Sequence, residues 1–465
     1  MRSPAAFLIL PLLAGCMVGP DYLSTPVEVP SEFAEAKATF RAAAAQPAQL
    51  EAWWRSFGDP ELDALIERAI AGNLDLRVAE SRVREARAAR GIVASDWYPT
   101  VDAEGDFFRS RRSENTAEGQ FIDPGPNNLW EAGFDASWEI DVFGRTARGV
   151  EAADADIQAA EDARRDVLVS LLAEVVRNYA ELRGFQKRVD LARRNAELQR
   201  DTLGLTESRF RGGLTSELDV ASAAAQLATT ESAIPLLEQG QVGAINRLGV
   251  LLGRPPEEVI GELSVAGPIP VGPQAIDPGS PETMVFRRPD LRQAEREVAA
   301  QSARVGVATA DLYPRIFVLG FAGVAAEDFT DMFNASSAVL SFGPSISWRV
   351  FDGGRIRSNI EVQDERLEQA RLTYRQAVLL ALEEVEVALA QLRNDQEAGA
   401  RLATAVEFNQ RRVQLAISRY EKGIGDFLDV LEAQRSLTTS EDELARRQQE
   451  IAKDVAALYK ALGGV

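Results

Sequence analysis

The stretch Trp130-Glu131-Ala132-Gly133-Phe134-Asp135-Ala136-Ser137-Trp138-Glu139-Ile140-Asp141-Val142 alternates almost without fault: its even positions are apolar, and Glu131, Asp135, Ser137, Glu139 and Asp141 fall on odd ones. A period of two predicts a strand with one apolar and one polar face. Further on, Leu340, Phe342, Ile346, Trp348 and Val350 alternate in the same way with Ser341, Gly343, Ser345, Ser347 and Arg349. Partner strands fit at about Thr100 to Arg112 and Arg315 to Val324, joined by loops around Pro124 and Asp331, so the chain supplies two β-hairpins. Each run is long enough to cross an outer membrane as a tilted strand. Alternation alone fits a soluble sandwich equally well. Strands that cross lipid must close into a barrel, because hydrocarbon offers no water to an open edge. Four strands are too few to close, so several chains would have to share one wall.

The two hairpins belong to a duplicated chain. At an offset of 210, Arg209-Phe210 and Gly213 face Arg419-Tyr420 and Gly423, Leu218-Asp219-Val220 faces Leu428-Asp429-Val430, and Gly144-Arg145 faces Gly354-Arg355. Asp96-Trp97-Tyr98-Pro99 faces Asp311-Leu312-Tyr313-Pro314 at an offset of 215, so one short length difference separates the halves, within the strand region. Such a period is far longer than a solenoid unit.

Proline is absent between Pro126 and Pro235 and after Pro344, which leaves two long tracts free to be helical. Arg145 to Arg211 and Arg355 to Lys422 have helix-forming composition, and at 1.5 Å per residue each could reach about 100 Å. Glycines at Gly212-Gly213 and Gly423 end them, and a shorter helix returns in each half. Val430, Leu437, Leu444, Ile451 and Leu458 recur every seven residues, with Phe427, Val455 and Leu462 in a neighbouring column, and Val220, Leu227, Ile234 and Leu248 repeat this in the first half. A sustained seven-residue repeat predicts coiled-coil hairpins. These stripes are packing surfaces, not sites.

Composition narrows the function. With 71 acidic against 51 basic residues the formal charge is −20, which argues against a nucleic-acid partner. There is no histidine, so the usual general base, zinc ligand and nucleophile pairs are gone. No metal-ligand cluster, phosphate loop or nucleophile elbow is present, and the few methionines, Met1, Met17, Met284 and Met332, give little support to a soft-metal relay. No cofactor is expected beyond a covalent lipid. Arg2, the apolar run Ala5 to Leu13 and small residues after it read as a signal peptide, too short to span a membrane. Leu13-Ala14-Gly15-Cys16 resembles the lipobox of bacterial lipoproteins, which implies that Cys16, the single cysteine, is acylated and begins the mature chain; Met17 after it implies sorting to the outer membrane.

Trp53-Trp54-Arg55-Ser56-Phe57-Gly58-Asp59-Pro60-Glu61-Leu62, Asn73-Leu74-Asp75-Leu76, Trp138 through Arg145, Arg288-Pro289-Asp290-Leu291 and Tyr420 through Leu431 together resemble the outer-membrane efflux protein family, the TolC-like exit ducts, and within it the acylated branch working with resistance-nodulation-division pumps. The resemblance covers essentially the whole chain. It implies a mixed, mainly α fold, and a homotrimer whose twelve strands, four per chain, form one outer-membrane β-barrel continuous with a long periplasmic α-helical barrel. It also implies a periplasmic adaptor and an inner-membrane pump as partners. The expected organisation is a signal peptide over 1–15, an anchored segment with the first helices over 16–95, barrel strands over 96–143, a helical hairpin over 144–252, a linker over 253–289, a helix over 290–312, barrel strands over 313–353 and a second hairpin over 354–465.

Asp219 and Asp429 stand just past the two hairpin turns, and the resemblance places the closed periplasmic entrance there. Asp429 and Glu432 lie three apart, hence on one helix face, and match the family's acidic pair, with Glu432 where Asp is common. Rings of such carboxylates would form a selectivity gate, although carboxylates at a helix N-terminus are also favoured by the helix dipole alone. Some members place Arg near the position of Gly425. Gly212-Gly213-Leu214 and Gly423-Ile424-Gly425 resemble the tips that meet adaptor hairpins. Asp102, Glu104, Asp106, Glu131, Asp135, Glu139 and Asp141 would line an acidic lumen if the alternating apolar residues face lipid, with Trp130 and Trp138 near opposite interfaces. A passive efflux duct is the leading expectation. A duct for type I protein secretion and a lipid-anchored periplasmic coiled-coil scaffold are the alternatives.

Overall fold

The computed structural model describes residues 17–24, 27–35, 46–47, 50–111, 113, 115 and 126–464. Cys16 and the signal peptide therefore lie outside the described residues. The chain divides into two compact units.

The first unit, residues up to 25 with 83–160 and 294–374, contains the sheet. Strands β1 (Thr100–Arg111), β2 (Pro126–Ile140), β3 (Arg315–Ala326) and β4 (Ala338–Ser347) pair in that order, every neighbour antiparallel. The two hairpins meet through β2 and β3, from Trp130↔Ala326 to Ile140↔Ile316. Both proline-bearing strands obey the ladder: Pro126 opens β2, and Pro344 sits in β4, an edge strand. The edges of β1 and β4 have no partner among the described residues.

The sheet departs from the sequence reading at its ends. β2 begins before Trp130 and stops at Ile140, and β4 stops at Ser347, so Val142, Trp348 and Val350 lie beyond the strands. Alternation continued past the ladder because the chain is already turning. The Val142 amide bonds the Ile140 carbonyl at 2.9 Å, and the Asp141 carboxylate accepts the Ala147 amide at 2.8 Å, as a helix cap. The two tryptophans form matching clasps instead: the Trp138 indole donates to the Trp97 carbonyl at 3.0 Å, and that of Trp348 donates to Leu312 at 3.1 Å. Trp130, at the far end, packs on Phe107 and Phe329 with centroids 4.2 and 5.0 Å away.

The second unit is mainly helical, with one short parallel strand pair, Gln46–Pro47 beside Ile276–Asp277. Its elements include α1 (Pro60–Gly72) and the start of α2 (Leu74–Ser95), most of α3 (Arg145–Arg211), then α4 (Glu217–Leu251), α5 (Pro256–Leu263) and α6 (Pro281–Arg287). After α7 (Pro289–Ala310), which lies mainly in the first unit, come the latter part of α8 (Arg355–Glu421) and α9 (Phe427–Ala461). Helices α3 and α8 each have 67 residues, about 100 Å of helix, and α4 and α9 each have 35. Helix α4 runs through Pro235, at the loss of one ladder bond.

The heptad stripe is shifted in α4. Its buried residues include Ala223, Thr230, Leu237 and Ala244, seven apart, while Val220, Leu227 and Ile234 are half-buried. Reading only large apolar residues missed the small and polar members of the seam, Ala223, Gln226, Thr230 and Ala244, while Leu248 is buried as expected. In α9, Val430, Leu437 and Leu458 are buried as expected, but Leu444 and Ile451 only half so.

The first helices and the linker are tied to the long helices by buried arginines. Arg183, about 2% exposed, donates to the Val265 carbonyl at 2.6 Å, to Gln186 at 2.7 Å and to Glu61. Arg288 donates to the Ala461 carbonyl, Asp290 and Glu384, each at 2.8 Å. Trp53 stacks on Tyr459 at 4.9 Å, and Asp59 caps α1 while accepting the Tyr179 hydroxyl at 2.8 Å. The motif around Trp53 to Leu62 is thus structural.

Candidate functional site

The two hairpin tips and the two faces of the sheet hold the side chains of interest. At each tip the long helix ends in a glycine of positive φ, Gly213 at +71° and Gly423 at +72°, a conformation open to glycine at no steric cost. Leu214 N bonds the Arg209 carbonyl at 2.9 Å and Ile424 N that of Arg419 at 3.0 Å, the pattern that closes a helix C-terminus. Gly212 and Gly425 have ordinary negative φ. Leu214 and Ile424 point into solvent, and so do Leu218 and Leu428 one turn into the return helices. The last two form, with the first, a duplicated apolar patch that sequence reading did not single out.

The duplicated aspartates differ in what they do. Asp219 completes a capping box: Ser216 Oγ accepts the Asp219 amide at 3.3 Å and Asp219 accepts the Ser216 amide at 3.1 Å. The Thr215 hydroxyl also donates to it, and chiefly that bond holds its carboxyl below the usual range. In the second half Asp426 takes the capping place, accepting the Leu428 amide at 3.3 Å. Asp429 and Glu432 are therefore left exposed on one face of α9. The three do not form one cluster of equivalent groups.

A cation from the first hairpin reaches the end of the second. Arg209, at the end of α3, donates to the Tyr420 carbonyl at 2.9 Å and the Glu421 carbonyl at 3.2 Å, at the end of α8. Its guanidinium lies over the Tyr420 ring, 4.6 Å from the centroid. The Tyr420 hydroxyl reaches toward Thr215 at 3.5 Å. Beneath, Tyr420, Phe427, Val430 and Leu431 pack with Ala223. Arg209 offered no signal in sequence, since its partners are carbonyls more than two hundred residues away.

Register sorts the sheet residues. Asp102 is opposite Asp135, Glu104 opposite Gly133 and Asp106 opposite Glu131, so with Glu139 these six carboxylates share one face. Asp141 does not belong with them, being the helix cap described above. Glu139 is also set apart, bonded by the Arg315 guanidinium, Nε to Oε1 at 3.0 Å. The acidic face ends with the first hairpin: β3 and β4 present Phe317, Leu319 and Phe321 against Ser345, Gly343 and Ser341 there. On the other face, positions from Val101 to Phe107 and throughout β2, β3 and β4 carry no charge; Phe134, Leu340, Phe342 and Ile346 are 60–82% exposed. Charge returns only with Arg109 and Arg111 at the end of β1. An apolar exposed face of this extent calls for a covering of lipid or protein. Among the described residues no helix is long and apolar enough to cross a membrane, and no acidic cluster has the make-up of a metal site.

The sequence profile of the outer membrane efflux proteins matches residues 65–254 and 281–464, both halves of the duplication. The chain belongs to the outer membrane efflux protein family. Nodulation protein T of Rhizobium leguminosarum bv. trifolii is 30% identical over 452 residues, 97% of this chain and 95% of that one. The toluene efflux pump outer membrane protein TtgI of Pseudomonas putida is 28% identical, covering 100% and 98%. Among solved structures, the outer-membrane channel OprN matches with a TM-score of 0.89 at 36% identity, covering 97% of this chain and 99% of that chain. The open-state MtrE channel of Neisseria gonorrhoeae matches at 0.83 and 26%, covering 97% and 98%. As an outer membrane efflux protein this is a channel, not an enzyme, and it lies in the outer membrane and extends into the periplasm.

Proposed function

We propose that three copies of the chain close a twelve-stranded barrel and form a passive exit duct for small molecules, fed by an inner-membrane pump through a periplasmic adaptor. The observation that carries this reading is the sheet: one face uncharged as far as Arg109, the other acidic along the first hairpin, with both edges unpaired among the described residues. Asp102 opposite Asp135 and Asp106 opposite Glu131 are like charges directly across the ladder, which costs stability. A water-filled lumen that favours cations gives them a use. Asp429 and Glu432 would form the carboxylate ring at the periplasmic entrance, with Arg209 holding the two tips of each protomer together. Leu214, Leu218, Ile424 and Leu428, around the glycine turns, offer the adaptor an apolar landing surface. Cys16 would carry the lipid anchor, and palmitate labelling lost in Cys16→Ala tests it. For the duct, purified protein is reconstituted in planar bilayers after its mass is measured. Small cation-selective current steps from trimers are expected. A monomer without current would overturn the barrel and leave a periplasmic scaffold.

A further inference from the structure

Helices α3, α4 and α9 leave an unfilled cleft between them, about 840 Å³ in volume. Glycines pinch the three together at one end of it: a Cβ on Gly240 of α4 would stand 2.4 Å from the Phe185 ring, and one on Gly184 of α3 would stand 2.1 Å from the Gln449 side chain of α9. Toward the tip α4 and α9 meet again, where Ala223 packs with Val430 and Leu431. Between these contacts α4 passes Pro235, where the Glu231 carbonyl loses its helical amide, a break at which helices bend. The cleft begins about 24 Å back from the end of α3, so it is separate from the tip clamp. Its volume is that of a small-molecule site.

The lining has an apolar wall and a charged side. Phe185, Leu191, Ala192, Ala233 and Leu237 form the wall. Arg188, whose side chain is 12% exposed, donates to both oxygens of Asp442, Nε at 2.6 Å and Nη2 at 3.3 Å, and Arg446 Nε holds the same carboxylate at 2.9 Å. The nearby carboxylates of α4 are taken as well, Glu231 by Arg200 and Glu238 by Arg193, each at 2.6 Å. Arg435 is different. Its Nε donates to Gln226 Oε1 at 2.7 Å, and among the described residues it has no carboxylate partner, which leaves its two Nη groups free. Three residues on, hence on the same helix face, the buried Thr438 hydroxyl oxygen has no hydrogen-bond partner among the described residues. Glu443 is the remaining carboxylate of the lining, so three arginines face two acids in a chain whose net charge is −20.

We propose that this cleft binds an amphipathic organic anion, its carboxylate on the Arg435 fork and the Thr438 hydroxyl and an apolar body of one or two rings against the wall. The planar guanidinium matches a carboxylate in geometry as well as charge. Helices α3 and α4 belong to the first hairpin and α9 to the second, so the seated anion ties the two hairpins together. Nothing in this binding requires a conducting duct.

The test uses the purified full-length protein in nanodiscs, with 2-naphthoate as the probe and 2-naphthylmethanol as its uncharged counterpart. Equilibrium dialysis should show saturable binding of 2-naphthoate, and the unfolding midpoint should rise with its concentration. Arg435→Met keeps the apolar stem and should weaken 2-naphthoate binding by about ten- to a hundredfold, the factor carried by a charge-assisted contact, while leaving the weaker affinity for 2-naphthylmethanol unchanged. Ala233 is exposed on its helix, and Ala233→Trp should fill the cleft and remove binding of both compounds. Absence of saturable 2-naphthoate binding to the wild type would overturn the inference, as would an affinity unchanged in the two variants. Equal affinity for the acid and the alcohol would overturn the part given to Arg435. Bilayer currents from the same preparation test the duct by themselves, so failure of one reading is told apart from failure of the other.

Discussion

Replacing Arg209 by Ala should loosen the periplasmic entrance. The guanidinium makes two bonds to helix-end carbonyls, at 2.9 and 3.2 Å, and covers the Tyr420 ring at 4.6 Å. A charge-assisted bond contributes about 1.5–3 kcal/mol and a cation–π contact about 0.5–2 kcal/mol, depending on how far it is desolvated. Water can rehydrate both carbonyls once the arginine is gone, so the net loss should be about 2 kcal/mol per tip. That corresponds to roughly a thirtyfold shift in the balance between tied and parted tips. In planar bilayers the variant should show longer and more frequent high-conductance openings, with trimer yield unchanged. Arg209→Lys keeps the charge without the fork that spans two carbonyls and should fall between. Tyr420→Phe keeps the ring and loses only a 3.5 Å contact, so it should resemble wild type. Openings in Arg209→Ala indistinguishable from wild type would refute the clamp.

Phe134→Arg on the uncharged face should cost about 2–4 kcal/mol per chain and block assembly in the outer membrane, whereas Asp135→Arg, one residue along, should assemble and lower cation selectivity in reversal-potential measurements. Asp219→Ala should destabilise the first tip by about 1 kcal/mol through loss of its cap, read as a lower unfolding midpoint, while Asp429→Asn with Glu432→Gln should change cation block and leave that midpoint in place. Asp454 is pushed up to about 7, first by burial and then by Asp395 and Glu450, so it is protonated in the fold where the unfolded chain ionises near 3.8. Its stability contribution is complete below about pH 4 and is lost as pH rises through about 7. Asp454→Asn, which cannot ionise, should gain on wild type across that window in denaturant midpoints at pH 5 and 8; an equal difference at both would contradict it.

Local periodicity and turn chemistry made much of the fold legible. The bounds of α3 follow from Arg145 after Gly144 and from Gly212-Gly213, and those of α8 to within one residue from Gly354 and Gly423. Sharing of one face by Asp102, Glu104, Asp106, Glu131, Asp135 and Glu139 was readable too, because side chains alternate and the hairpin register preserves the alternation. Asp141 was misread since a helix cap one residue past a strand keeps the strand's parity. Arg209, Arg435 and the exposed Leu218 and Leu428 depend on partners distant in the chain or on which side a helix leaves open. The same holds for the α4 seam, where Gln226 and Thr230 are buried against expectation for their type.

The matching clasps, Trp138 to Trp97 and Trp348 to Leu312, mark each chain as two staves of one pattern. In the proposed ring of three chains that would make six staves of two kinds, and a single codon would alter only every other one. Carboxylates on the first hairpin alone, a cap at Asp219 but a free Asp429, and an arginine clamp thrown from one tip to the other are all differences that duplication permits. Drift in one stave is buffered by its unaltered neighbours on either side. The conduit can thus acquire new chemistry by halves, with the remaining three staves still keeping the wall intact.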